Sequence, residues 1–142
     1  MIKNIVNEDL NRIMDIWLES TIKAHDFISK EYWHNSYNTV KHVYIPMAET
    51  FVYEDDKCIK GFISIINNEF IGALFVATDY QGSGIGKELI DYAIDRYKKL
   101  KLAVYKDNEK SVEFYINRGF KIVKEQVNED SGYGEYIMEK TF

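Results

Sequence analysis

Gln81-Gly82-Ser83-Gly84-Ile85-Gly86-Lys87 stands between an apolar stretch, Ala73-Leu74-Phe75-Val76-Ala77, and a run of Ile85, Leu89, Ile90, Ala93, Ile94 and Tyr97 at helical spacing. The pattern predicts a strand, a glycine-rich turn and a helix that begins inside the glycine run. Glycines let backbone approach phosphate oxygens and reach positive φ. The first-turn N–H groups of a helix lack intrahelical partners, and its dipole adds roughly half a positive charge there. Together these features form an anion cradle, so the expected ligand is a phosphorylated cofactor.

Spacing narrows the choice. A Walker loop needs G-x-x-x-x-G-K-[ST], but only three residues separate Gly82 from Gly86, and Glu88 stands where Ser or Thr is required. A dinucleotide fingerprint needs G-x-G-x-x-G on a first strand, whereas this run reads G-x-G-x-G in mid-chain. What it matches is Q/R-x-x-G-x-G/A, with Gln81, Gly84 and Gly86 in place. That pattern resembles the pyrophosphate loop of the GNAT superfamily of N-acyltransferases, which bind acetyl-coenzyme A. Further on, Asn108-Glu109-Lys110-Ser111-Val112-Glu113-Phe114-Tyr115-Ile116-Asn117-Arg118-Gly119-Phe120 resembles the closing GNAT motif, N-x-x-[AS]-x-x-[FL]-Y-x-x-x-G-F. Asn108 suits the N-cap and Gly119 the C′ position of a short helix between strand-like Leu100–Tyr105 and Phe120–Val123. In the N-terminal half, Trp17-Leu18-Glu19-Ser20-Thr21, His25-Asp26-Phe27-Ile28, Tyr32-Trp33 and Gly61-Phe62-Ile63-Ser64-Ile65 resemble a subgroup of small bacterial acetyltransferases typified by YjaB and YiaC.

Patterning along the rest of the chain is consistent with one domain over residues 1–142. There is no linker, repeat or low-complexity stretch, and Pro46 is the only proline. Ile2 to Val6 is expected as a first strand. Asn7 is the expected cap of a helix with Glu8 and Asp9 in its first turn and Leu10, Ile13, Met14, Trp17 and Leu18 on its buried face. Residues 29 to 47 read as a second helix. Phe51–Glu54 and Lys60–Ile66 read as strands joined by Asp55-Asp56-Lys57, where Cys58 also falls; Phe70–Val76 follows a turn at Asn67-Asn68, and Gly134–Lys140 closes the chain as a strand. The order is β-α-α-β-β-β-α-β-α-β-β, an α/β (α+β) mixed sheet covered by helices, which is the GNAT acyl-CoA N-acyltransferase fold that the resemblance implies.

Composition limits the partners. A net charge of −5 argues against nucleic acid, and no apolar run is long enough to span a membrane. It also means that anionic coenzyme A must be held by local donors, the loop amides with Lys87 and Lys110, while an acidic surface favours a cationic, amine-bearing acceptor. Cys58 is alone, and His25, His34 and His42 are scattered, so neither a disulfide framework nor a metal site is expected. Cytoplasm is the expected compartment.

Acyl transfer from a thioester to an amine needs a neutral amine, a stabilised oxyanion and a proton for the leaving thiolate. Tyr115 is the candidate proton donor: the resemblance assigns it that role, and a phenol of pKa about 10 is protonated at neutral pH. Its alternative is a core aromatic on an amphipathic helix. A main-chain N–H at Phe75 or Val76 is the expected oxyanion donor, worth about 3–4 kcal/mol to the transition state. The resemblance lays the pantetheine arm along Leu74, Phe75 and Val76, and the pyrophosphate on Gln81, Gly82, Ser83, Gly84, Ile85, Gly86 and Lys87. Asn108 and Ser111 are further cofactor-binding candidates. For a general base there are two candidates: Glu69, one residue out of the family's register, and His25, whose ordinary pKa of about 6.5 suits the task. Glu19, Ser20, Thr21, Tyr32 and Trp33 are candidates for the acceptor pocket. The implied reaction joins acetyl-CoA and a primary amine in a ternary complex, without a covalent intermediate on Cys58. A protein lysine as acceptor, a non-catalytic acyl-CoA sensor on the same fold, and either a monomer or a homodimer remain open.

Overall fold

The computed structural model describes residues 1–141. Strand β1 (Ile2–Asn4) leads into helix α1 (Leu10–Ala24) and helix α2 (Lys30–Thr39), followed by the single turn α3 (Ile45–Met47). Strands β2 (Glu49–Asp55), β3 (Cys58–Ile66) and β4 (Phe70–Val76) form a meander. Helix α4 (Ile85–Arg96), strand β5 (Lys99–Tyr105), helix α5 (Glu109–Asn117) and strands β6 (Lys121–Val127) and β7 (Gly134–Thr141) complete the chain. The element order is the expected one.

Local chemistry explains where the bounds differ. Asn7 does not cap α1; residues Asn7–Asp9 form a 3₁₀ turn, closed by the Asp9 carboxylate accepting the Val6 N–H at 3.1 Å. Ser29 caps α2 through its hydroxyl, which accepts the Tyr32 N–H. The helix expected to run unbroken to residue 47 instead widens into a π turn over Val40–Tyr44, where the Ile45 N–H bonds back to the Val40 carbonyl. Pro46 accounts for this, because it has no N–H to donate and its ring crowds the carbonyl four residues earlier. Both hairpins of the meander turn through paired left-handed residues, Asp56-Lys57 and Asn67-Asn68, the geometry of a tight hairpin. Cys58 is the first residue of β3, not part of the turn before it.

Seven strands form one sheet in the order β1-β2-β3-β4-β5-β7-β6. Every neighbouring pair is antiparallel except β4 and β5, which run parallel. Alternation along the strands builds two cores. Phe51, Ile63, Ile65 and Ile71 face Leu89, Ile90 and Ala93 of α4, while Val52, Phe62 and Ala77 face Ile13, Met14 and Trp17 of α1. Each fully buried side chain of this size contributes roughly 1.5–3 kcal/mol to the fold.

One irregularity positions everything that follows. β4 and β5 share a single ladder position, Phe70 opposite Lys101, at their N-terminal ends. β4 stays paired with β3 as far as Val76, and β5 with β7 as far as Tyr105, so the two parallel strands part along their length. The sheet therefore contains a gap that is closed at Phe70 and open at the strands' C-terminal ends.

Candidate active site

Two cavities meet in that gap. One, of about 720 Å³, is bounded by Val76, the Gln81–Lys87 turn and the start of α5. The other, of about 920 Å³, lies among α1, α2, the end of β5 and the β6–β7 turn. The residues common to both are Leu74, Phe75, Asn108, Ser111 and Tyr115.

In the first cavity the glycine turn has the conformation its composition requires. Gly82 and Gly84 hold φ of +83° and +89°, and open space lies where a Cβ would stand. Gly84 is the N-cap of α4, and the first bond of that helix runs from the Glu88 N–H to the Gly84 carbonyl at 3.1 Å. The N–H groups of Ile85, Gly86 and Lys87 thus lie outside the helical ladder. Lys23, Lys87 and Lys110 border the cavity, but so do Asp26, Asp107 and Glu109, so the bordering side-chain charges balance.

The strand edge facing the gap can be read from its partners. The Ala77 N–H bonds to the Lys60 carbonyl at 2.8 Å, on the β3 side. The Phe75 carbonyl lies against Gly61, where an added Cβ would sit 2.9 Å from it. Alternation then turns the main-chain groups of Leu74 and Val76 towards the gap. The Val76 carbonyl accepts the Ser20 hydroxyl and the Gln81 side-chain amide, both at 3.1 Å. Of the two N–H groups anticipated for an oxyanion, Val76 therefore faces the gap and Phe75 faces β3. Gln81 serves the turn by tying it to the end of β4.

Tyr115 sits where the cavities join. It is 9 % exposed and packs edge-on against Phe114 and Phe120 at 5.3 and 5.6 Å. Burial pushes its phenol pKa well above the ordinary value of 10, so it keeps its proton at neutral pH.

His25, the residue that ends α1, is buried between Phe27, Trp33 and Tyr105. Its Nδ1 lies 2.9 Å from the Thr21 carbonyl and 3.2 Å from the Thr21 hydroxyl, and its Nε2 lies 3.3 Å from Asn108 Nδ2. Burial lowers its pKa below 6.5, partly opposed by the bond to the Thr21 carbonyl. Asn108 caps α5 by accepting the Ser111 N–H at 3.4 Å. That N–H is consequently engaged, which leaves the Ser111 hydroxyl for a ligand.

Glu69, the other candidate base, is misplaced for that work. It borders neither cavity, and its carboxylate lies 3.6 Å from both Lys99 and Lys101. Its carbonyl accepts the Lys101 N–H at 2.8 Å, so it marks the closed end of the gap. Glu19 is exposed and borders neither cavity, Ser20 lines the first, and Thr21, Tyr32 and Trp33 line the second. His34 and His42 are exposed, and the described residues include no group of His, Cys, Asp and Glu arranged to hold a metal.

Two acidic residues in the second cavity had no signal in the sequence. Glu135, at the start of β7, is buried and accepts the side-chain amides of Gln126 and Asn128 at 2.7 and 3.1 Å. Asp130, in the β6–β7 turn, accepts the Tyr32 hydroxyl. Among the described residues no Lys or Arg borders this cavity.

A parted β4–β5 pair with a glycine turn at its open end, read together with the chain's relatives, decides the family. The family model for the acetyltransferase (GNAT) domain matches residues 18–142. The chain belongs to the GNAT acetyltransferase family. It is 38 % identical over 123 residues to the peptidyl-lysine N-acetyltransferase YiaC of Escherichia coli K12, covering 87 % of this chain and 84 % of that protein. The solution structure of apo YjaB from Escherichia coli superposes with a TM-score of 0.84 at 27 % identity, over 98 % of this chain and 95 % of the other. The N-acetyltransferase PaiA of Thermoplasma acidophilum, solved with coenzyme A, shares the fold with a TM-score of 0.81 at 23 % identity, over 100 % and 98 % of the two chains. As a GNAT member the chain is an N-acetyltransferase, and none of its described helices is long and apolar enough to cross a membrane.

Proposed function

We propose that residues 1–142 act as one cytoplasmic domain that transfers the acetyl group of acetyl-CoA to a primary amine, by direct attack in a ternary complex. The observation that carries this reading is the meeting of two cavities at Tyr115. The cavity beside the glycine turn fits a diphosphate: it offers main-chain N–H groups outside the helical ladder, positive-φ glycines with open space beside them, and lysines at its border. Acetyl-CoA supplies the acyl group as an activated thioester. The uncharged amine forms the new C–N bond as the C–S bond breaks. The Val76 N–H donates to the oxygen that gains negative charge, and Tyr115 gives its proton to the departing sulfur. The proton lost by the amine passes to solvent in the acceptor cavity, from which the phenol is restored.

The acceptor enters through the opposite cavity. Asp130 and Glu135 with aromatic walls and no bordering Lys or Arg suit a cationic aliphatic amine. A lysine side chain is the acceptor we favour, since YiaC and YjaB are both named peptidyl-lysine N-acetyltransferases. A sensor without catalysis fits less well, because Tyr115 lines both cavities. The test is Tyr115→Phe, which keeps the ring and removes the proton. Turnover on lysine peptides should fall by about 10²–10⁴ with coenzyme A affinity unchanged; undiminished turnover would remove Tyr115 from the mechanism.

A further inference from the structure

His25 makes contacts whose polarity is dictated from both ends by main-chain groups. At one end is the Thr21 carbonyl, which can only accept, so Nδ1 at 2.9 Å carries the ring hydrogen. In a neutral imidazole Nε2 is then a bare lone pair, and its neighbour at 3.3 Å must donate. At the other end is the Ser111 N–H, which can only donate, so Asn108 turns Oδ1 to it. That orientation presents Asn108 Nδ2–H to His25 Nε2. One assignment of hydrogens satisfies the whole chain, from Thr21 C=O through His25 and Asn108 to Ser111 N–H. Phe27, Trp33 and Tyr105 enclose the ring at centroid distances of 5.8, 5.2 and 5.2 Å.

We infer that His25 is a positioning residue: as a neutral imidazole it locks the Asn108 carboxamide, and through it holds the first turn of α5 across the gap from the end of α1. Asn108 and Ser111 border both cavities, and α5 carries Tyr115, so the helix that supplies the phenol is registered against α1 by this link. Both ring nitrogens are committed, which leaves no lone pair to take a proton from the amine. The inference rests on the acetyl-transfer reading for its effect on rate, but not for its hydrogen-bond polarity.

Two substitutions separate positioning from proton abstraction. Gln at position 25 places an acceptor oxygen near the site of Nε2 but cannot serve as a base; Ala does neither. Because displacement of a reacting group by about 1 Å can cost 10²-fold, His25→Ala should lose about 10- to 100-fold in kcat for acetylation of a lysine peptide. His25→Gln should recover most of that loss. Equal losses in both variants would overturn the inference in favour of a base, and wild-type rates in both would overturn it outright. Nitrogen NMR of the wild-type imidazole at pH 7.5 gives the second measurement. The expected form is protonated on Nδ1; an Nε2–H tautomer would overturn the relay. If the wild type acetylates no amine, the acetyl-transfer reading fails, and the nitrogen shifts alone decide whether the link exists.

Discussion

At position 115 burial and the proposed role act in the same direction. The side chain is nearly enclosed, which raises the phenol pKa and keeps the group protonated through neutral and mildly alkaline pH. Burial has the opposite effect at His25, favouring the uncharged imidazole. A group whose pKa is lowered on folding adds stability above its unfolded value, about 6.5, and loses it as pH falls through the lower folded value. Thermal unfolding of the wild type should therefore lose more stability between pH 7.5 and pH 5 than that of His25→Gln; equal losses would show that His25 is not buried neutral. Glu69 is half-exposed in a screened pair of lysine contacts, of the kind worth about 0–1 kcal/mol. Turnover of Glu69→Gln should remain within about twofold of wild type, and a tenfold fall would restore it as a base candidate. The place of Tyr115 on α5 was legible in the sequence because its motif is local. Glu69 was misread because its place in the turn before β4 says nothing about which end of the strand opens. The partner of His25 lies 83 residues away, beyond the reach of any local pattern.

The glycine turn is the element whose conformation is most constrained. Gly84 is left-handed at the N-cap of α4, where any other residue costs about 1–2 kcal/mol of strain. Gly84→Ala should leave the buried face of α4 intact yet weaken coenzyme A binding by about tenfold in calorimetry. Unchanged affinity would mean that the turn does not hold the ligand. This element was legible because glycine spacing, the preceding strand and the helical periodicity all agree. The π turn that follows α2 was not, since Pro46 marks an irregularity without saying that the turn before it would widen. The Asn7 cap failed for a related reason: Asp9 closes the same turn through the Val6 N–H, and the helix starts two residues later, at Leu10. Asp130 and Glu135 read as ordinary turn and strand residues, and they become cavity walls only when β7 pairs with β5, setting Glu135 opposite Tyr105.

At the scale of the whole molecule, function depends on a defect in an otherwise continuous sheet. The order of elements was legible from periodicity and turn residues. The insertion of β7 between β5 and β6, and the parting of β4 from β5, were not, because pairing across the sheet is set by packing between distant segments. That parting leaves the Leu74 and Val76 main-chain groups without a strand partner on one side and, on the proposed reading, opens one cavity to each substrate. Under the proposed assignment the net charge of −5 is compatible with coenzyme A, whose cavity offers helix-start amides outside the ladder, and suits a cationic acceptor, whose cavity is lined by Asp130 and Glu135. A connected cleft makes the two binding events additive when the ligands are joined. The decisive measurement is the affinity of a conjugate in which coenzyme A sulfur is linked through an acetyl bridge to the lysine amine of a peptide, compared with coenzyme A alone. Binding tighter by about 10²-fold or more is expected if the cavities meet at Tyr115; an affinity no better than that of coenzyme A would contradict a passage through the sheet.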